Sequence, residues 1–527
     1  MIRAKDPHAF AIPEPRIRHI AQQLEQLLSI VRLECDGRPV EVNGFRLKDL
    51  SQWLSYTNST AMNALTPISA VCNSRCDFCF EENVPYAREQ SLMPLAEAQT
   101  RLKYFTLEDG RSLFPSSRNH METFVHPRAL EIIEMARRRQ PDKLFWITTN
   151  GSHFTESMVS RLAALKPIIF KLSLNASDAD ANQRLMHTGR RTAVALDAPR
   201  LLQKYRIPFM GGVVAWPTLG LEEIVETVRY LESFQAYAIR IRLPLAHRWL
   251  KRPTNVNLDH HWRGVAQLAR ELCRTTSVPL FVEPPIYWVN AILPEIDGVV
   301  QNSPAARAGL RAGDLIRTIS DKPIRTRIES ESVLDELHVR GVTEFSIVVE
   351  REGHTIESLI HEAPPGTDTY PYQAGYFYRG ENFGIFHVED FRLNHVQKIL
   401  DLIEAHAAHD VILFSSKIVA SIFETVVEAV PEFAQRIAKI NLYLESVEEN
   451  SFGGNYSVMD SRVVEDYARV IARRIDGDIH PDLILIPDAF GSPWGTDVFG
   501  DSVQRLVLQF GIPVERVDWL LVYGREV

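Results

Sequence analysis

Cysteine is scarce in this chain: five residues in 527, an odd number. So few thiols in so long a sequence exclude a disulfide framework and suit a reducing compartment. Long apolar runs are missing as well. No stretch of eighteen apolar residues occurs, which argues against a membrane-spanning helix. The opening MIRAKDPHAFAIPEP lacks the apolar segment of a secretory signal. The expectation is a cytoplasmic protein without membrane association. Positive charge is also short, with 58 Lys and Arg against 67 Asp and Glu and a net charge of −9. No global field draws such a chain to nucleic acid. Its densest basic runs, Arg137-Arg138-Arg139 and Arg473-Arg474, close helix-like segments, where cations complement the helix dipole. Low-complexity tracts and internal repeats are absent.

What is present is ordinary globular material, 45% hydrophobic and 24% charged. At about 150 residues per domain, the length suggests three or four domains. Residues 1–58 read as an N-terminal cap. Arg16–Val31 has helical periodicity, and Val31–Cys35 and Val40–Val42 flank Asp36-Gly37, a hairpin turn pair. Residues 59–285 alternate short apolar runs with helix-like stretches. Strands are expected at Phe145–Thr148, Ile168–Leu174, Phe209–Ala215 and Ala238–Leu243, and helices at Arg128–Arg139, Glu156–Leu165, Ala193–Lys204 and Leu221–Phe234. That alternation implies parallel β/α units with functional residues at the C-terminal strand ends. Residues 286–365 form a compact α+β module, with β-rich runs at Ile316–Ile319 and Phe345–Glu350 and a tight turn at Arg351-Glu352-Gly353-His354. Ala363 to Asp368 reads as a linker. Residues 366–527 make a last α/β domain, with strands at Val411–Phe414 and Leu483–Ile486, helices at Asn394–Ala407 and Ser461–Ile475, and Gly-rich polar loops at 448–456 and 487–501.

Three of the five cysteines fall within eight residues, Cys72-Asn73-Ser74-Arg75-Cys76-Asp77-Phe78-Cys79, after the strand-like Pro67–Val71. Thiolates at this spacing can each reach a different iron of one cluster. Three ligands leave one iron of a [4Fe–4S] cluster open, and an open coordination position usually serves chemistry. Two other readings stand beside it. Zinc would need a fourth ligand, for which His126 or Cys35 are candidates, and the thiols could also be inert.

The CxxxCxxC spacing, with an aromatic before the last cysteine, resembles the radical S-adenosylmethionine (SAM) superfamily. The resemblance implies a partial (β/α)6 TIM-like barrel of α/β class. It implies a [4Fe–4S] cluster on Cys72, Cys76 and Cys79 whose fourth iron chelates SAM, and cleavage of SAM to a 5′-deoxyadenosyl radical. It implies that Phe78 lies against the adenine. It places Glu122, in His120-Met121-Glu122-Thr123-Phe124-Val125-His126-Pro127, where the family holds the SAM amino group, although the family's two glycines are missing here. A glutamate on a solvated loop is the plainer reading. The run Phe145 to Gly151 matches the family's third strand and turn, which brings in Asn150, a residue equally suited to the turn alone. Ser173 and Asn175 resemble the family's ribose and carboxylate ligands, and Gly211-Gly212 resembles the strand that approaches the adenosine. Arg240 and Leu243 complete the implied cofactor contacts. An arginine inside a barrel needs an anion, and an internal Asp or Glu serves as well as a ligand.

Ser303-Pro304-Ala305-Ala306 through Gly313-Asp314-Leu315-Ile316, with Lys322-Pro323-Ile324, resembles a bacterial PDZ domain. Such domains bind peptides by strand addition at a sheet edge, with a loop of backbone amides for the carboxylate. The nearest upstream place for that loop is Tyr287–Ile292, so the module is a structural wedge, a substrate lid or a peptide reader. A bacterial branch of the superfamily combines a PDZ domain, this barrel and a C-terminal domain of unknown function, although the PDZ domain there comes first. The resulting expectation is an enzyme that takes hydrogen from a small-molecule or peptide substrate and receives electrons from a donor such as flavodoxin or ferredoxin. The alternatives are transfer of a methyl or aminocarboxypropyl group from SAM, or a non-catalytic metal-bearing PDZ scaffold.

Overall fold

Five short runs rich in apolar residues between 145 and 283 each make a strand. They are β1 (Phe145–Thr149), β2 (Ile168–Ser173), β3 (Phe209–Val214), β4 (Ala238–Arg242) and β5 (Leu280–Glu283), parallel and in sequence order. In the computed structural model the described residues are 65, 68–79, 91–102, 105, 107, 113–114, 121–242, 258–283, 293–361, 382–387, 393–415, 417–446, 463–487, 497 and 501–517, with four two-residue strands between 34 and 46. Beyond β1 the sheet continues as ladder hydrogen bonds. The amides of Met121 and Glu122 donate to the carbonyls of Ser69 and Val71, and Met93 N donates to Ile68 O. The expected strand Pro67–Val71 is thus only an isolated bridge between Ser69 and Leu92.

Alternation sorts the strand side chains into two faces. Phe145, Ile147, Phe170, Leu172, Phe209, Val213, Ile239 and Ile241 face the helices in one large core. Those helices are α1 (Ala129–Arg139), α2 (Glu156–Ala163), α3 (Ala179–Met186), α4 (Thr192–Lys204), α5 (Leu221–Ser233) and α6 (Leu258–Leu272). Thr155 and Asp178 cap α2 and α3 through side-chain oxygens. The other face points inward. The strand register puts Ser173, Gly212, Arg240 and Phe281 side by side on it, with Arg242 opposite Glu283 one step nearer the C-terminal ends. At the N-terminal ends Trp146, Ile169, Met210, Ala238 and Phe281 pack with Val300 of the inserted module and with Phe386, whose segment pairs with the module although it lies beyond the expected boundary at 365. That module therefore closes the floor of the barrel, opposite the mouth, and the lid reading falls on geometry.

The module holds β6 (Gly298–Val299), β7 (Leu315–Ile319), β8 (Lys322–Pro323), β9 (Glu344–Arg351), β10 (His354–His361) and β11 (Ile385–Phe386), with helix α7 (Arg327–Val339). The antiparallel sheet runs β8-β7-β9-β10. The β9–β10 turn sits on Glu352 and Gly353 with φ of 51° and 79°, as a two-residue primed turn demands. Thr326 and Glu329 cap α7 reciprocally. The C-terminal region has four parallel strands, β12 (Asp410–Ser415), β13 (Asn441–Ser446), β14 (Leu483–Pro487) and β15 (Val514–Val517), in the order β13-β12-β14-β15, with a core on each face.

Six expected strands of the two parallel sheets, the four named in the barrel with Val411–Phe414 and Leu483–Ile486, lie within a residue of their observed ends. The sequence reading missed β5, β13 and β15, along with helices α3 and α6. β5 follows Pro279 and ends in a glutamate that faces inward, so its alternation looks polar. The hairpin around Asp36-Gly37 forms, but its return strand is Arg38–Pro39 rather than Val40–Val42. The helix at 16–31, the linker at 363–368 and the loop at 448–456 lie outside the described residues.

Candidate active site

The cysteine loop hangs from the 68–71 segment at the C-terminal mouth of the sheet, and neighbouring elements pin it. Asn150, in the turn after β1, donates from its carboxamide to Asn73 Oδ1 (3.2 Å) and Ser74 Oγ (3.1 Å). Its own oxygen accepts from Ser152 N (3.0 Å) and Ser152 Oγ (2.6 Å), and Asn73 Nδ2 donates to Ser152 Oγ at 2.9 Å. Gly151, with φ of 69°, makes the turn possible. On the other side the end of α3 receives the loop. Arg75 N donates to Met186 O and Asp77 N to Leu185 O, and Asp77 Oδ1 lies 2.8 Å from His187 Nε2. Phe78 and Cys76 pack on the small cluster of Ala176, Ala181, Leu185, Met186, Trp216 and Leu219, with the Phe78 ring 6.4 Å from Trp216.

All three cysteines are half-buried. They stand close enough to feel each other's charge. Burial pushes the Cys72 thiol up to about 12, with Glu122 and Cys79 adding to the rise. Burial, then Cys79 and Cys72, pushes Cys76 well above its ordinary value. Bare Cys72 and Cys76 hold their protons at neutral pH, so a metal that binds them must displace those protons. Among the described residues no three His, Cys, Asp or Glu side chains gather around a point as a single ion requires. His126, a candidate fourth zinc ligand, has both ring nitrogens engaged, Nε2 on Met93 O at 2.8 Å and Nδ1 accepting from Arg128 N at 3.0 Å. The side chain of Cys35 lies outside the described residues.

Glu122 is 4% exposed, which overturns the solvated-loop reading. Its carboxylate accepts from Thr149 Oγ1 (2.7 Å), Phe124 N (3.2 Å) and Asn150 N (2.8 Å), and burial raises its pKa. It ties the 121–125 turn to β1, near enough to Cys72 for its charge to be felt there. Asn175 is buried, accepting from Val214 N at 2.6 Å and donating to Met186 Sδ at 3.3 Å. Ser173 is half-buried at the end of β2. Of the two glycines, Gly211 turns outward, where a Cβ would strike Leu231 at 2.6 Å. Gly212 turns inward, and a Cβ there would meet only Leu172 O at 3.6 Å. The room for a ligand is therefore at Gly212, while Gly211 serves helix packing. Arg240 is 3% exposed and donates to Glu283 at 2.7 Å, and Arg242 Nε stands 3.6 Å from the same oxygen. The internal carboxylate is thus the anion that Arg240 has. Leu243 lies outside the described residues.

The sequence reading missed Asn73, Ser74, Ser152, Glu283 and Trp216. The first two sit inside the triplet itself, where attention to the thiols hid them. Of the aspartates in the polar loop at 487–501, Asp497 caps backbone amides of Val464 and Asp501, and Asp501 lies 3.1 Å from Arg505. Asp488 is outside the described residues.

Residues 66–231 match the radical SAM superfamily, and residues 295–351 match the PDZ domain. No curated protein matches the chain. Among solved structures, SuiB of Streptococcus suis bound to S-adenosylmethionine is 16% identical over 52% of this chain and 64% of its own, with a TM-score of 0.32. The protein anSMEcpe, with bound AdoMet and a peptide, is 15% identical over 39% and 59%, with a TM-score of 0.30. Methylornithine synthase is 14% identical over 38% and 60%, with a TM-score of 0.29. The chain spans about three fifths of the length of these proteins. Likeness at this level carries no argument about substrate. No described helix is long and apolar enough to cross a membrane.

Proposed function

From a chain that carries a radical SAM domain and a PDZ domain, we propose an enzyme that holds a [4Fe–4S] cluster on Cys72, Cys76 and Cys79 and takes hydrogen from a small-molecule or peptide substrate. The observation that carries the reading is the cysteine loop: three half-buried, mutually interacting thiols pinned at the mouth of a parallel barrel. The donor set fits the group, because three soft thiolates can each take one iron and leave the fourth for SAM. The bound cluster and SAM supply the hard chemistry, one-electron cleavage of the sulfonium to a 5′-deoxyadenosyl radical.

The chain's own residues position and shield. Asn150 and Ser74 fix the loop, and Glu122 braces it through Thr149 and Asn150. Phe78 and Trp216 line one wall in a position suited to a nucleobase. Ser173 and Asn175 stand at the end of β2 where a ribose and carboxylate would lie, and the bare backbone at Gly212 leaves room beside them. Electrons come from a donor of the flavodoxin or ferredoxin class. The scaffold reading loses ground, since His126 is engaged elsewhere and the module lies at the floor.

The test is anaerobic reconstitution followed by reduction with dithionite and SAM. The reading expects a brown protein that yields 5′-deoxyadenosine, and loss of both in alanine variants of each cysteine. A colourless, zinc-loaded protein would support the scaffold, and 5′-methylthioadenosine as the product would support aminocarboxypropyl transfer.

A further inference from the structure

The floor of the barrel carries a feature that the cluster chemistry does not use. Beside helix α7 lies a later segment of the same chain, Asn382–His387. In that segment β11 runs antiparallel to β6, with Phe386 opposite Gly298 and Ile385 opposite Val299. Asp297 N donates to Phe386 O and Val300 N to Gly384 O, both at 2.9 Å. Helix α7 is stapled onto the segment along its length. Ser330 Oγ lies 2.9 Å from His387 Nε2, Asn382 Nδ2 donates to Asp335, and the Phe383 ring meets His338 at 6.3 Å and Phe345 at 4.7 Å. At the head of the helix, Arg327 grips Asp297 through two nitrogens at 2.7 and 3.0 Å. Ser330, Phe383, Ile385 and His387 are all buried. Gly384, with φ of 84°, passes so close to Ser303 that a Cβ would overlap it.

An added peptide strand needs about 4.8 Å from its neighbour, with its own side chains in the space next to the helix. Direct hydrogen bonds from α7 to the strand residues beside it leave no such width. The same segment seals the barrel with its opposite face. The Phe386 ring lies 5.2 Å from Phe281 at 32°, and Gly298 is so near Pro279 that a Cβ would stand 2.7 Å from its Cα.

We propose that this PDZ module is closed to outside peptides: residues 382–387, paired with β6, are bonded directly to α7 with no width left for an added strand between them, and the module acts as a brace that seals the barrel floor. The reading stands independently of the cluster, because it rests on the module alone. The test uses the full chain. A pool of fluorescein-labelled decapeptides with free hydrophobic C-termini is titrated while anisotropy is followed. Hydrogen exchange of the Asp297 and Val300 amides is measured alongside. The proposal expects no saturable rise, and exchange as slow as that of the β1–β3 core amides. It expects His387→Ala to speed exchange at Asp297 and Val300 at least tenfold. Saturable peptide binding to the wild type overturns it. Exchange a hundredfold faster than the core also overturns it, as does a His387→Ala chain whose exchange is unchanged.

Discussion

The two ends of one sheet have opposite characters. At the floor, Trp146, Ile169, Met210, Ala238 and Phe281 are sealed by Val300 and Phe386, and the surface is finished with apolar contacts. At the mouth the thiols, Ser173 and Phe78 are only half-buried, and the buried polar groups around them brace one another. Arg240 and Glu283 sit between, their charges matched within the sheet. The floor is where this chain spends apolar surface on rigidity, and the mouth is where it keeps polar groups bonded to one another around half-buried thiols. Variants at the two ends should therefore fail differently.

The sharpest break is at the mouth. Cys76→Ala, and equally the Cys72 and Cys79 variants, should abolish iron retention and SAM cleavage while leaving the melting temperature of the apoprotein nearly unchanged. Iron assay and calorimetry on the same samples check this. At the floor the expected pattern reverses. Phe386→Ala should cost about 3–5 kcal/mol of stability, as for a buried aromatic truncated in a core. Iron retained per folded molecule should stay at the wild-type level, with denaturant melts and iron assay as readouts. A floor variant that lost iron without losing stability would erase the distinction.

A smaller effect separates the ends by pH. Burial, aided by Arg327, holds the His387 imidazole down at about 3. The folded chain keeps it neutral, while the unfolded chain takes up a proton near pH 6.5. The stability of the module is complete above about pH 6.5 and is lost as the pH falls toward 3, on the order of 2 kcal/mol by pH 5. His387→Gln should flatten that slope in urea melts between pH 7 and 5, leaving the mouth unaffected. A change of similar size is Asn150→Ala, which leaves Ser74 and Asn73 short of a donor. It should cost about 1–3 kcal/mol and slow cluster assembly in a reconstitution time course.

How far the sequence could be read also differs between the ends. The strands β1 to β4 were legible because buried parallel strands read as continuous apolar runs between turn signals. The thiol triplet was legible because its spacing is rare outside metal chemistry. The bracing was not, since Asn150 to Ser74 spans 76 positions and nothing local marks the pair. The partner of Arg240 was hidden for the same reason: Glu283 lies 43 residues on, in a strand whose inward glutamate breaks the apolar pattern. The floor was least legible of all. Its seal comes from Phe386, far beyond the residues that carry the PDZ resemblance, and no upstream loop search could have found it.

The claim at the centre is that three thiolates hold a cluster with one iron open to SAM. Electron paramagnetic resonance of the dithionite-reduced, reconstituted full chain, recorded before and after SAM is added, tests it most directly. The account predicts a cluster signal in the wild type that changes on addition of SAM and is missing from Cys76→Ala. A wild-type protein with no such signal, or one whose signal ignores SAM, would contradict it.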